Sequence, residues 1–359
     1  MRSKHWFGVA VALTLLSLNT EAQHNRNEYG NPPPEVFEAA DRDEWQRPEW
    51  VLDQLALKPD AIVADLGAGS GYFSRRLAKR LPQGRVLALD IDPGMIDYIE
   101  KDAKRDGLTN IETRLIATDD PGLDPESVDV VFLSNTLHHI SNRSDYYGKL
   151  VSALKPDGRL INIDFYKRDL PVGPRSLDHK LAKAVVQEEF TAACLFVSQD
   201  MTGLPYQYFL EASPLPPIVN AILLDARTVS SGEPTDEQLR RMADLGFRTV
   251  VNLQTEAEGS VEKGTIVKKL GMDFVGIPIS SGSISEEQID RFSAILTEND
   301  RYPMLIHCRS GNRVGGMFLL DGVLRQNKEL ETALQEARRA GLRSSLEERL
   351  LPRVNAQRE

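Results

Sequence analysis

Three short stretches of this 359-residue chain carry side chains and backbone able to do chemistry. The first is Asp65-Leu66-Gly67-Ala68-Gly69-Ser70-Gly71, with Asp90 further along. Glycines let backbone approach a ligand closely and adopt positive φ. A helix starting after such a turn offers unpaired N–H groups and the positive end of its dipole. A carboxylate closing the next strand can accept hydrogen bonds from both hydroxyls of a ribose. Together these features point to an adenosine-containing cofactor. The second stretch is His138-His139, where one imidazole can act as the base that a hydroxyl or carbon acid needs. The plainer alternative is a hydrogen-bonded histidine that shapes its loop. Asp164, Phe165 and Tyr166 are further pocket candidates. The third stretch is His307-Cys308-Arg309-Ser310-Gly311-Asn312-Arg313. A thiol at a strand end, followed by a glycine turn and a helix start, forms an anion nest. With Arg313 it suits a thiolate nucleophile attacking phosphorus or sulfur, the alternative being a structural cysteine at a tight turn.

These residues need elements to hold them. Apolar runs at 61–66, 85–90, 111–115, 128–134 and 159–164 read as buried strands. Helical patterns at 70–80, 93–105 and 144–154 alternate with them. Such alternation predicts a parallel sheet with helices on both faces and ligand space at the carboxyl ends of the strands. The fold class expected is therefore α/β, a Rossmann-like doubly wound sheet joined to a second, smaller α/β domain. In that second domain, helices are expected at 235–245, 264–270, 285–298 and 314–324. Strands are expected at 248–253, 273–279 and 303–307. Ser285-Glu286-Glu287-Gln288 has the form of a capping box. Leu330, Leu334, Leu342, Leu346 and Leu350 give the charged tail one apolar face, which predicts that it packs on the second domain.

Composition narrows the classes of function. Lys and Arg number 43 against 53 Asp and Glu, so the net charge of −10 leaves no broad basic face for nucleic acid. Two cysteines, Cys194 and Cys308, cannot build a disulfide framework or a four-cysteine zinc site, and no metal is expected. Residues 1–22 read as an export signal: Arg2 and Lys4, an apolar run over 6–18, then Thr20-Glu21-Ala22 as a cleavage site. That run is too short for a comfortable transmembrane span, and no later segment is apolar enough for one. The protein is expected to be exported, in the periplasm. The organisation expected is a linker at 23–43, a first domain at 44–212, a linker at 213–227, a second domain at 228–326 and a helical tail at 327–359.

The turn at Gly67 is G-x-G-x-G, whereas the dinucleotide fingerprint is G-x-G-x-x-G. Preceded by Asp65, it resembles motif I of class I S-adenosylmethionine-dependent methyltransferases. Leu89-Asp90-Ile91-Asp92-Pro93 is similar to that family's second acidic motif. Val128-Asp129-Val130-Val131-Phe132 with Leu137-His138-His139-Ile140 is similar to its fourth strand and following loop. Leu154-Lys155-Pro156-Asp157-Gly158-Arg159-Leu160 resembles the turn before its fifth strand, and Leu204-Pro205-Tyr206-Gln207-Tyr208-Phe209-Leu210 a closing hairpin. The resemblance covers about residues 44–212. It implies that Gly67, Gly69 and Gly71 shape the turn around the methionine part of S-adenosyl-L-methionine. It also implies that Asp65 lies near the ammonium, that Asp90 holds the ribose, and that Asp119 lies near the adenine amine.

Residues 228–325 resemble the phosphatase-like domain of the beta-lactamase-hydrolase-like family, a relative of dual-specificity phosphatases. Gly232-Glu233-Pro234-Thr235, residues 246–253 and the Cys308 loop carry that resemblance. Two features depart from the wider phosphatase pattern. Arg313 stands one place earlier than the signature arginine, with Val314 in that place, as in the shorter loops of rhodaneses. Ser280-Ser281-Gly282-Ser283 occupies the position where a general-acid aspartate is common. The reading is an enzyme that transfers a methyl group to a small-molecule acceptor and carries an appended loop for phosphate or another oxyanion. Two alternatives stay open: a non-catalytic sensing protein, and phosphatase or sulfurtransferase chemistry at Cys308 alone. S-adenosylmethionine is made in the cytoplasm, so export sets a supply question for the first reading.

Overall fold

A computed structural model describes residues 33–280 and 283–356. The export-signal reading of 1–22 and the linker up to residue 32 lie outside the described residues, as do Ser281 and Gly282. A single 3-10 turn, Pro34–Glu38, opens the described chain. It is followed by α1 (Arg42–Gln46), α2 (Pro48–Leu55), β1 (Ile62–Leu66), α3 (Tyr72–Arg80), β2 (Arg85–Asp90), α4 (Pro93–Arg105) and β3 (Ile111–Leu115). The first domain continues through β4 (Val128–Ser134), α5 (Arg143–Ala153), β5 (Leu154–Phe165), α6 (Lys183–Ala192), β6 (Leu195–Met201) and β7 (Gln207–Pro214).

The sheet order is β3-β2-β1-β4-β5-β7-β6. Every neighbouring pair from β3 to β5 runs parallel, and β7 enters antiparallel to both β5 and β6. Chain order reverses between β1 and β4, the switch point beside which ligands bind in open α/β sheets. β1 is buried from Val63 to Leu66 because helices cover both faces. The helix starts are written in the sequence: Asp92 accepts from Gly94 N at 2.8 Å and Pro93 follows it, which fixes the first turn of α4.

The second domain comprises β8 (Ile222–Asp225), β9 (Thr228–Ser231), α7 (Asp236–Asp244), β10 (Thr249–Asn252), α8 (Ser260–Lys269), β11 (Asp273–Gly276), α9 (Glu286–Thr297), β12 (Met304–His307) and α10 (Asn312–Leu324). Its sheet order is β11-β10-β12-β9-β8, parallel except for the β8–β9 pair. Capping boxes at Thr235 and Ser285 start α7 and α9. The tail folds as α11 (Leu330–Arg339) and α12 (Ser344–Ala356). Leu334, Leu342, Leu346 and Leu350 join Val314 and Met317 of α10 in one apolar cluster, as their spacing predicts.

Two segments read as linkers are structured. Residues 34–43 fold against the first domain: Glu38 accepts from Ser70 Oγ and Arg75, and Asp43 from Tyr72 Oη and Arg76. Residues 222–225, inside the expected 213–227 linker, form the edge strand β8. Polar composition hid the first segment and Pro-rich flanks hid the second. Among the described residues, no helix is long and apolar enough to cross a membrane.

Candidate functional site

A cavity of about 660 Å³ opens at the carboxyl ends of β1, β2, β4 and β5. Small-molecule sites usually occupy roughly 300–1,000 Å³. Asp65, Gly67, Gly69 and Asp90 line it, and so do His138 and His139. At Gly67 the turn demands glycine twice over: φ is +71°, and a Cβ there would stand 2.4 Å from Thr136 Cγ2. Gly69 N donates to Asp90 Oδ2 at 2.8 Å, and Asp92 N donates to Oδ1 at 2.9 Å. The Asp90 carboxylate thus closes the second strand with its place fixed by backbone. Burial raises its pKa, and these N–H bonds oppose that rise. Gly71 lies outside the cavity lining; it packs against Ile99 and leads into α3.

Asp65 is buried and accepts from Ser74 Oγ at 2.5 Å. Burial is the largest influence on it and pushes its pKa up to about 6. A buried carboxylate with one neutral hydroxyl donor is a ready partner for an added cation.

Asp119 is not brought to the cavity. It is exposed, and its carbonyl oxygen accepts from Lys149 Nζ at 2.6 Å. Ile116, Ala117 and Thr118 line that wall instead. The chain turns at 117–120 through an Ala117–Asp120 bridge, which carries Asp119 outward. The expected adenine contact from Asp119 is therefore corrected.

His138 and Asp164 form a pair. His138 Nδ1 lies 3.1 Å from Asp164 Oδ2, the Asp164 side chain is fully buried, and its Oδ1 accepts from Phe165 N at 2.8 Å. A carboxylate only accepts, so the shared proton sits on Nδ1 and leaves the Nε2 lone pair free. His139 stacks beside His138, with ring centroids 4.2 Å apart. Burial pushes the His139 pKa down to about 4, helped by His138 and His179, so His139 is uncharged at neutral pH. Among the described residues, no three His, Cys, Asp or Glu side chains are arranged to hold a metal ion.

Several lining residues escaped the sequence reading. Phe37 and Arg42 come from the segment read as linker, and Trp45 from the first residues of the expected first domain. Arg42 sits 3.7 Å over the Tyr72 ring and donates to Phe37 O at 2.6 Å; burial lowers its pKa to about 10. Gln46 donates to Gln207 Oε1 at 2.8 Å, and Gln207 donates to Asn135 Oδ1 at 2.6 Å. That relay ties the N-terminal wall to the closing hairpin and to the loop after β4. His179 reaches the same cavity from a short turn, Leu177–His179.

In the second domain, Cys308 is buried and its Sγ accepts from Gly311 N at 3.1 Å. His307 beside it is buried, and burial pushes its pKa down to about 3. Arg313 is held by a partner the sequence did not disclose. Nη1 donates to Glu258 Oε2 and Ile279 O, both at 2.8 Å, and to Leu253 O at 3.2 Å, while Nη2 donates to Glu258 Oε1 at 2.6 Å. Arg313 therefore clamps the loops around Cys308, and most of its donors are already used.

The Arg313 hydrogen bonds hold Glu258 down to a pKa of about 2, against an ordinary value of 4.5. A carboxyl with a depressed folded-state pKa adds stability above its unfolded pKa and loses it as pH falls through the folded one. Glu258→Gln is expected to cost the second domain roughly 2 kcal/mol at neutral pH. The gap to the parent protein should shrink as pH drops below 4.5 toward 2. Thermal unfolding of both proteins from neutral to acid pH checks this; a gap that does not change with pH contradicts it.

Residues 64–160 match the family described as a methyltransferase domain, and residues 222–345 match that of a DSP-PTPase phosphatase fused to NAD+ kinase. A tRNA U34 carboxymethyltransferase of Desulfotalea psychrophila is 35% identical over 119 residues, which are 33% of this chain and 35% of that protein. A beta-lactamase hydrolase-like protein of Xylella fastidiosa is 24% identical over 106 residues, 28% of this chain and 24% of that one. A solved S-adenosylmethionine-dependent methyltransferase from Aquifex aeolicus aligns at 25% identity with a TM-score of 0.49, over 51% of this chain and 98% of that one. The chain spans a quarter to a third of the length of these two curated relatives. It thus carries a methyltransferase domain followed by a phosphatase-like domain.

Proposed function

We infer that the protein transfers a methyl group from S-adenosylmethionine to a hydroxyl of a small-molecule acceptor. The pairing of His138, which lines the cavity, with the buried Asp164 carries this reading. The residues present fit the cofactor: a turn closed to any Cβ at Gly67, Asp90 fixed by two N–H groups, and the buried Asp65 carboxylate. Asp90 would hold the ribose, Asp65 the ammonium, and Gly67 and Gly69 the methionine backbone. When bound, the cofactor supplies an electrophilic methyl on a sulfonium. Methylation of a hydroxyl breaks the S–CH3 bond, forms O–CH3 and leaves one proton to be taken up. His138 Nε2 takes that proton, and Asp164 holds the ring and offsets the imidazolium. Orientation in the cavity accounts for much of the remaining rate.

The test uses Asp65. With a pKa of about 6 in the free protein, Asp65 must lose its proton before it can pair with an ammonium. S-adenosylmethionine affinity is expected to rise about tenfold per pH unit below that pKa and to flatten above it. Asp65→Asn should bind more weakly and without that slope. Affinity independent of pH in the parent protein contradicts the assignment.

For the second domain, the Gly311 N–H aimed at Cys308 Sγ supports a nest for phosphate or another oxyanion, with the thiol at its floor.

A further inference from the structure

The charged groups lining the cavity are not spread evenly. Arg42, Asp65 and Asp90 gather about the glycine turn, held there by Phe37 O, Ser74 and Gly69 N. The surroundings of His138 are built differently. Trp45 and Phe165 face each other there with ring centroids 5.6 Å apart and planes tilted by 39°. Gly173 lies against Phe165: a Cβ at Gly173 would fall 2.4 Å from the ring, so the approach is open to glycine alone. His138, His139 and His179 complete the wall, with His179 centred 6.2 and 6.1 Å from the other two. The charged side chains that line the cavity make their contacts elsewhere: Arg42 with Tyr72 and Phe37 O, Asp65 with Ser74, and Asp90 with Gly69 N, with Asp92 two residues further on.

We propose that the acceptor is an uncharged aromatic hydroxyl compound of the phenol or catechol class, its ring against Trp45 and Phe165 and its hydroxyls on the histidines. This rests on the methyl-transfer reading above and names its substrate class. Aromatic faces favour a planar ring in offset or tilted contact, and imidazole nitrogens can both donate to and accept from hydroxyls. An acceptor carrying a carboxylate or phosphate would lose its hydration with no fixed cation to replace it. His139, uncharged at neutral pH, does not supply one. A flexible aliphatic alcohol would gain none of the ring contact open to a planar acceptor.

The experiment titrates catechol, 3,4-dihydroxybenzoate and glycerol into the protein saturated with S-adenosylhomocysteine, reading tryptophan fluorescence and heat. Catechol is expected to bind at least about tenfold more tightly than the other two. Trp45→Ala and Phe165→Leu are each expected to weaken catechol by up to about tenfold while S-adenosylhomocysteine affinity stays within about twofold. That retained affinity shows that the variants are folded. Equal or tighter binding of dihydroxybenzoate or glycerol overturns the proposal, as does binding of none of the three to protein that takes up S-adenosylhomocysteine. Catechol preference without S-adenosylhomocysteine binding would leave the ring pocket standing and remove the cofactor reading beneath it.

Discussion

His138→Ala is expected to slow methyl transfer to a hydroxyl acceptor by about 10²–10⁴-fold, the usual contribution of a positioned base. S-adenosylmethionine affinity should be unchanged, because the hydrogen bonds that fix Asp65 and Asp90 do not involve His138. The loss belongs in kcat, since the proton is taken only as the bond forms. Asp164→Asn should lose less, because an amide can still contact Nδ1 but no longer fixes the tautomer or offsets the imidazolium. A purely structural His138 would give a different pattern: lower thermal stability and a disturbed loop, with kcat falling no more than folding does. Single-turnover rates, cofactor affinity and melting temperature on the same variants separate the two.

Asp90→Ala carries the second large effect. Two hydrogen bonds donated to a charged acceptor are each worth about 1.5–3 kcal/mol, so losing both should weaken S-adenosylmethionine binding by about 100-fold or more. Part of that loss is indirect, since Asp90 also fixes Gly69 N and Asp92 N. Asp90→Asn keeps one acceptor and should fall between the parent and the alanine variant. Retained tight binding in a folded Asp90→Ala protein contradicts the ribose assignment.

What was legible in the sequence had short range. The Gly67 turn, the parallel strands, the capping box at Ser285 and the Cys308 loop are contiguous runs, and each stands where its local pattern puts it. The pairings that make a site from them were not legible. His138 meets Asp164 and Gln46 meets Gln207 only once β4, β5 and β7 lie side by side. The N-terminal wall was missed for the same reason. Phe37, Arg42 and Trp45 sit in a short polar stretch whose single turns are stabilised by α3, Tyr72 and Phe165, none of them neighbours in the chain. Asp119 was misplaced because its loop offers adjacent acids, and backbone geometry alone decides which residue faces inward. Glu258 carried a weak signal, an acid three residues into the capping box of Thr255, but nothing local ties it to Arg313.

The central claim is that the cavity beside Gly67 and Asp90 is an S-adenosylmethionine site. The most direct measurement is calorimetric titration of S-adenosylmethionine into the purified protein at neutral pH, with S-adenosylhomocysteine as competitor. The account predicts one site of micromolar affinity, displaced by the competitor and lost in Asp90→Ala. A folded protein that gives no binding heat at several temperatures, with no thermal shift on adding either compound, would contradict it.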